Sequence, residues 1–134
     1  MKFSRFLQFA AIFMLMTLAL SSCQDDDPYA NLKGTFTLTD STVDGVDAGP
    51  VGGTLVFNND KSGTIDIDYV VGATQFSLSG NFNFTANDNT LTLNPGASDE
   101  EVWTRVEDEK NKQSFAFDVP QAGALKGVVL IFTK

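Results

Sequence analysis

Carboxylates are the main groups able to do chemistry in this 134-residue chain, because it has no histidine and a single cysteine, Cys23. Ser-His and Cys-His nucleophiles and His-ligated metal sites are therefore excluded. Asp66 and Asp68 lie two apart on a predicted strand, so their side chains share one face. That face is opposite Ile65 and Ile67, and we expect it to be a solvated outer face and not a catalytic pair.

A second acidic cluster, Asp99, Glu100 and Glu101, comes directly before Trp103. Acids beside an aromatic ring are typical of carbohydrate sites, whereas a charged strand entry beside a core tryptophan is the simpler interpretation. Neither cluster forms a catalytic set. The sequence predicts a protein that is not an enzyme and uses no cofactor.

The segment from Asn58 to Gly63 has oxygen-bearing side chains at alternate positions, Asn58, Asp60 and Ser62, as a calcium loop does. Position twelve of that frame is Tyr69 where a calcium loop needs a bidentate glutamate. We therefore expect a hairpin turn here and no metal site.

The first residues have the order of a secretory signal. Lys2 and Arg5 precede an apolar run over residues 6–20. This run is shorter than the ~20 residues that a membrane-spanning helix needs.

The run ends in Leu20-Ser21-Ser22-Cys23, which resembles the lipobox of bacterial lipoproteins at all four positions. This resemblance implies cleavage between Ser22 and Cys23, and fatty acylation such as palmitate on Cys23. The acyl chains would anchor the mature protein in a membrane, here the outer membrane. The alternative is an ordinary secreted protein whose cysteine is incidental.

Behind the cysteine, Gln24, Asp25, Asp26 and Asp27 resemble the surface-export signal of lipoproteins from the Bacteroidota. The resemblance implies display on the cell surface. The alternative is a solvated tether, which a lipoprotein facing the periplasm would also have.

Cleavage would leave seven basic and 17 acidic side chains, a net charge near −10. Nucleic acid is therefore excluded as a partner. The remaining 112 residues fit one domain. We expect a tether over residues 23–31 and a folded domain over 32–134.

Alternation of apolar and polar residues at period two predicts an all-β domain. Turn residues separate the strand candidates. A glycine, Gly80, interrupts the longest one without changing the parity of the apolar positions. Eight strands are predicted, near residues 34–40, 54–58, 63–70, 74–85, 90–94, 101–107, 113–118 and 127–133.

Short connections favour antiparallel neighbours and an eight-stranded up-and-down β-barrel, with a β-sandwich as the alternative. The last strand, Val128–Phe132, is apolar at both parities and is predicted to be buried on two sides and to pair with the first. Residues 41–53 form the one long predicted loop.

The domain resembles the small lipocalin-like domains of Bacteroidota lipoproteins. The resemblance is carried by residues 32–38 (LKGTFTL), 53–64, 90–93, Trp103 and the closing strand. Phe36 stands where these barrels usually have a tryptophan. The resemblance implies that the loop from Ser41 to Gly53 covers the mouth of the barrel.

Two functions follow as expectations. The first is a binding domain for a small apolar molecule or a glycan fragment. The alternative is a filled barrel with an acidic surface, acting as an interaction or inhibitory module on an outer-membrane protein. The candidate ligand-binding residues are aromatic: Phe36, Phe57, Tyr69, Phe76, Phe84, Trp103 and Phe117.

Overall fold

The structure, a computed structural model, describes residues 27–134. The predicted signal peptide, the lipidation site Cys23 and residues 24–26 of the export signal lie outside the described residues. No helix within residues 27–134 has the length and apolar character to cross a membrane.

Nine antiparallel strands form one sheet, and hydrogen bonds between its first and last long strands close it into a barrel. The prediction of an all-β, eight-stranded up-and-down barrel is thereby confirmed, since eight strands make up the wall and the ninth, of two residues, belongs to a small hairpin. The strands are β1 (Gly34–Val43), β2 (Val46–Asp47), β3 (Gly52–Phe57), β4 (Ser62–Val71), β5 (Thr74–Ala86), β6 (Thr90–Leu93), β7 (Glu101–Glu109), β8 (Lys112–Gln121) and β9 (Ala124–Thr133).

Strand β4 shows how the sequence alternation builds the wall. Ile67 and Tyr69 point inward and are buried, whereas Asp66 and Asp68 point outward and are exposed. The carboxylate of Asp68 accepts a hydrogen bond from the hydroxyl of Ser77 on the neighbouring strand. The two aspartates therefore lie on the solvated outer face that the sequence predicts.

Strand β5 runs without interruption through Gly80, which pairs with Ile65 in an unbroken register. The turn before this strand has Gly72 at φ +63° in its first central position. A primed two-residue turn uses glycine there because it matches the twist of the flanking strands.

The prediction of a loop over residues 41–53 is wrong for much of this range. Residues Ser41 to Val43 complete β1 and pair with β9, and the chain then turns through Asp44 and Gly45 into β2. The amide of Gly127 in β9 donates a hydrogen bond to Asp44 Oδ1 over 2.9 Å. This small hairpin is thus fixed to the barrel wall, and only residues 48–51 remain as a connecting segment.

The last strand is buried on one side only, which corrects the prediction of burial on both. Leu130 and Phe132 are fully buried, but Val129 and Ile131 lie on the outer face and are half-buried. Their apolar character therefore gives the barrel an apolar outer stripe.

Aromatic side chains fill one half of the barrel. Phe57 lies at its centre, with ring centroids 5.0 Å from Phe84, 6.0 Å from Phe82 and 6.1 Å from Phe36. All four rings are buried. This half is packed by its own side chains.

The N-terminal turn seals the same half, which we call the closed end. Leu32 is buried there, and the hydroxyl of Tyr29 accepts a hydrogen bond from the amide of Ala86. The buried guanidinium of Arg105 donates to the carbonyl oxygen of Pro28 and forms an ion pair of 2.6 Å with Asp108.

Candidate functional site

The opposite end of the barrel, the open end, is bridged by two hairpin tips. The side-chain amide of Gln121, at the tip of the β8–β9 hairpin, donates to the carbonyl oxygen of Val71 and to the hydroxyl of Thr74. Both acceptors lie at the tip of the β4–β5 hairpin. These hydrogen bonds join the two hairpin tips at the open end.

A side opening exists because the strands differ in length. Strand β6 has four residues and pairs with β5 through Phe84, Thr85 and Ala86. No strand among those described pairs with residues 74–83 of β5 on that side. The edge of β5 therefore faces a gap bordered by the segment before β7 and by the end of β8.

This gap contains a groove of about 360 Å³ that is open to solvent, and we call it the lateral groove. A smaller depression of about 180 Å³ adjoins it and shares Leu78, Glu101 and Trp103. The lateral groove is lined by Tyr69, Leu78, Glu101, Val102, Trp103, Phe117, Asp118, Val119 and Pro120.

Aromatic rings form the floor of the lateral groove. Phe117 stacks on Trp103 at a centroid distance of 5.0 Å and meets the ring of Tyr69 edge-on at 6.0 Å. Phe76 stacks on Tyr69 at a centroid distance of 5.5 Å. Trp103 and Tyr69 are nearly fully buried, whereas Phe117 and Leu78 are half-buried and offer apolar surface to a ligand.

Two exposed carboxylates, Glu101 and Asp118, line the groove, and the position of Glu101 on β7 shares the inward parity of Trp103. Its carboxylate accepts a hydrogen bond of 3.0 Å from the indole Nε1 of Trp103. Burial raises the pKa of Tyr69 to about 12, and the negative charge of Glu101 contributes to that rise. The Tyr69 hydroxyl is therefore neutral at physiological pH.

The structure separates the seven candidate ligand residues into two groups. Tyr69, Trp103 and Phe117 line the lateral groove, and Phe76 packs against Tyr69. The other three, Phe36, Phe57 and Phe84, lie in the packed half and are at most 2% exposed.

Sequence reasoning missed Leu78 and Val119, which also line the groove, and it interpreted Glu101, a third lining residue, as part of a charged strand entry. Leu78 shares the inward parity of Phe76, and Glu101 shares that of Trp103. The alternation that identified the aromatic residues could therefore have identified these neighbours.

The other acidic candidates have structural roles. Asp99 accepts a hydrogen bond of 2.8 Å from the side chain of Asn94, and Glu100 accepts one of 2.6 Å from the amide of Gly96. Both hold the β6–β7 connection in place, and only Glu101 of this cluster lies beside Trp103.

The segment with calcium-loop spacing is a hairpin turn. Asp60 accepts hydrogen bonds from the amide and the hydroxyl of Ser62, so its carboxylate is used inside the turn. Within residues 27–134, no group of three or more acidic, histidine or cysteine side chains is placed to hold a metal ion.

Comparison of the sequence with protein family models and with curated proteins gives no match. The structure is similar to bovine odorant-binding protein in complex with a selenium-containing odorant, with a TM-score of 0.48 and 14% identity over 79% of this chain and 74% of that chain. It is similar also to the odorant-binding protein from bovine nasal mucosa, with a TM-score of 0.47 and 13% identity over 83% and 76% of the two chains. The closed antiparallel strand order by itself defines the fold as an up-and-down β-barrel.

Proposed function

We propose that this protein is a lipid-anchored, non-catalytic binding protein of the outer membrane. Its lateral groove binds a small, largely apolar molecule. The observation that carries this proposal is the groove itself. It combines about 360 Å³ of open space with an apolar and aromatic floor. Ligand sites typically have volumes of about 300–1,000 Å³ and such a lining with a few polar groups.

Packing of the closed half restricts where a ligand can bind. Phe57 and the rings around it occupy the interior that a larger barrel would leave free. A ligand is therefore held against Phe117 and Leu78 in the side opening, with part of its surface in contact with water.

The position of the N-terminus supports a membrane-anchored arrangement. Pro28 and Tyr29 are fixed to the closed end, and Cys23 precedes Asp27 by four residues. If Cys23 carries the acyl chains, the closed end faces the membrane surface. The lateral groove then lies in the half of the barrel that points away from the lipid.

Binding can be tested with residues 24–134, which include the whole closed barrel. The probe is N-phenyl-1-naphthylamine, an apolar dye whose emission rises when it leaves water. We expect saturable binding that is lost in Leu78→Asp, because the new carboxylate lies on the groove floor. The control is Gln75→Asp, which places the same charge on the exposed face of the same strand.

Circular dichroism establishes that both variants are folded. Absence of saturable binding by the folded wild-type chain would contradict the proposal. Equal binding by the two variants would contradict the assignment to the lateral groove.

The filled interior also favours the second candidate, an interaction module. Val102 and Val106, each 55% exposed, lie on the outer face of β7, and Val129 and Ile131 continue an apolar outer face on β9. Cross-linking on intact cells through a photoreactive residue at position 106 tests this candidate. A discrete cross-linked product is the expected result for an interaction module, and its absence would contradict it.

A further inference from the structure

We infer that the lateral groove selects organic cations, that is, amines or quaternary ammonium groups attached to an apolar body, with the charged head beside Glu101. This inference names the ligand class of the proposed site and therefore rests on the proposed function. It is carried by the distribution of charge, hydrogen-bonding groups and aromatic rings around the groove.

Charge around the groove has one sign. Glu101 and Asp118 line the lateral groove, and Asp99 lines the depression beside it. No lysine or arginine is among the described residues that line either space. The whole chain carries a net charge of −8, which attracts cations to the surface and repels anions.

Hydrogen-bonding groups in the groove are also unsuited to an anion. The indole N–H of Trp103 is a hydrogen-bond donor at this site, but it already donates to the carboxylate of Glu101. An anionic head group would have to displace that bond and approach the carboxylate. An ammonium head group instead approaches the free oxygen of Glu101 and leaves the indole bond in place.

The hydroxyl of Tyr69 is a polar group of the lateral groove that can contact a ligand. Tyr69 is 3% exposed and lines the groove, and its hydroxyl is not one of the fully buried polar atoms that lack a hydrogen-bond partner. Its oxygen can accept a hydrogen bond from the N–H of a protonated amine, whereas a quaternary ammonium group would be held by charge and by the aromatic rings.

Aromatic rings complete the set of features. Phe117 contacts both Trp103 and Tyr69 and is itself half-buried. A cation over the face of such a ring is attracted by its quadrupole, and the attraction grows when the site is partly desolvated. The apolar body of the ligand would lie on Leu78 and Val119.

The test compares three ligands that share a ten-carbon chain and differ in the head group: decyltrimethylammonium, decanol and decyl sulfate. Each is titrated into residues 24–134 below its micelle-forming concentration. Binding is followed by the emission of Trp103, the single tryptophan of the chain, and by displacement of N-phenyl-1-naphthylamine. We expect the cation to bind roughly ten-fold more tightly than the alcohol, and the sulfate most weakly.

The substitution Glu101→Gln removes only the negative charge of this residue, because a glutamine oxygen can still accept the indole hydrogen bond. We expect this variant to lose most of the preference for the cation while it keeps its affinity for decanol. Asp66→Asn is the matched control, since it removes one negative charge on the outer face of β4 and leaves the preference unchanged.

Equal binding of the three ligands would overturn the cation inference and leave the proposed apolar site standing. Tighter binding of decyl sulfate would overturn it in the same way. A preference that persists in Glu101→Gln would overturn the assignment of the charged head to Glu101. Failure of all three ligands to bind would overturn the proposed function together with the inference.

Discussion

Phe57 provides the sharpest test of how the interior is divided. Its side chain is 2% exposed, and its ring meets those of Phe36, Phe82, Phe84 and Phe115 at centroid distances of 5.0–6.5 Å. The substitution Phe57→Ala removes this central ring. The four surrounding rings belong to three different strands, β1, β5 and β8, so they cannot close the space without moving the barrel wall.

The expected cost follows from burial and from the ring contacts. Truncation of a buried phenylalanine to alanine costs about 3–5 kcal/mol, and the four aromatic contacts place Phe57 near the upper value. Small domains have a free energy of unfolding of about 5–15 kcal/mol, so the loss is a large share of the total. Urea unfolding followed by Trp103 fluorescence measures it.

Two comparisons make the result interpretable. Phe57→Leu keeps most of the volume and is expected to cost about 1.5 kcal/mol. Phe76→Ala removes a half-buried ring at the lateral groove and is expected to cost less than about 2 kcal/mol. If Phe57→Ala costs no more than Phe76→Ala, the closed half is not tightly packed and the division of the barrel into a filled half and a groove is wrong.

Three further predictions concern the backbone, the pH dependence and the anchor. Gly53→Ala should destabilise the protein more than Gly49→Ala in urea unfolding. The two glycines have similar positive φ values, +105° and +103°, but only a Cβ at position 53 would clash with the backbone oxygen of Asp66 in β4. Equal costs for the two variants would contradict this crowding. Because folding raises the pKa of Tyr69 from 10.0 to about 12, its contribution is fully present below pH 10 and is lost as the pH rises toward 12. The urea midpoint should therefore fall between about pH 10 and about pH 12, and Tyr69→Phe should remove that part of the fall; an identical fall in the variant would refute the assignment. Cys23→Ser should abolish labelling by radioactive palmitate and release the protein from the outer-membrane fraction, and a variant that still fractionates with the membrane would contradict lipid anchoring.

The alternation of apolar and polar residues along each strand explains which parts of the barrel could be predicted from the sequence. The apolar parity of Phe82 and Phe84 continues that of Phe76 and Leu78 across Gly80, and the structure has one strand there. Parity is a property of neighbouring residues, so the sequence alone shows it. The same reasoning placed Asp66 on the outer face.

Turn chemistry explains one of the errors. The dipeptide Asp44-Gly45 adopts positive φ values of 51° and 82°, as expected for the two central residues of a primed hairpin turn. The surrounding glycines and Pro50 favoured a long loop, and they hid this signal. Recognition of the dipeptide would have predicted the hairpin, although not its hydrogen bond to Gly127.

The lateral groove could not be predicted, because it depends on register. Strand β6 has four residues and β5 has 13, so part of the edge of β5 has no partner strand. The position of this unpaired edge is set by pairing between distant segments of the chain. The double apolar parity of Val128–Phe132 has a similar explanation. An apolar outer face and a buried one give the same sequence pattern, and only the closed barrel distinguishes them.

The most direct test of the account is to locate a bound ligand on the folded chain. Amide and indole NMR signals of residues 24–134 would be followed during titration with N-phenyl-1-naphthylamine. We predict that the largest shifts occur at Leu78, Phe117 and the indole of Trp103, and that Phe57 is unaffected. Largest shifts on the outer face around Val106, or no shifts at all, would contradict a binding site in the lateral groove.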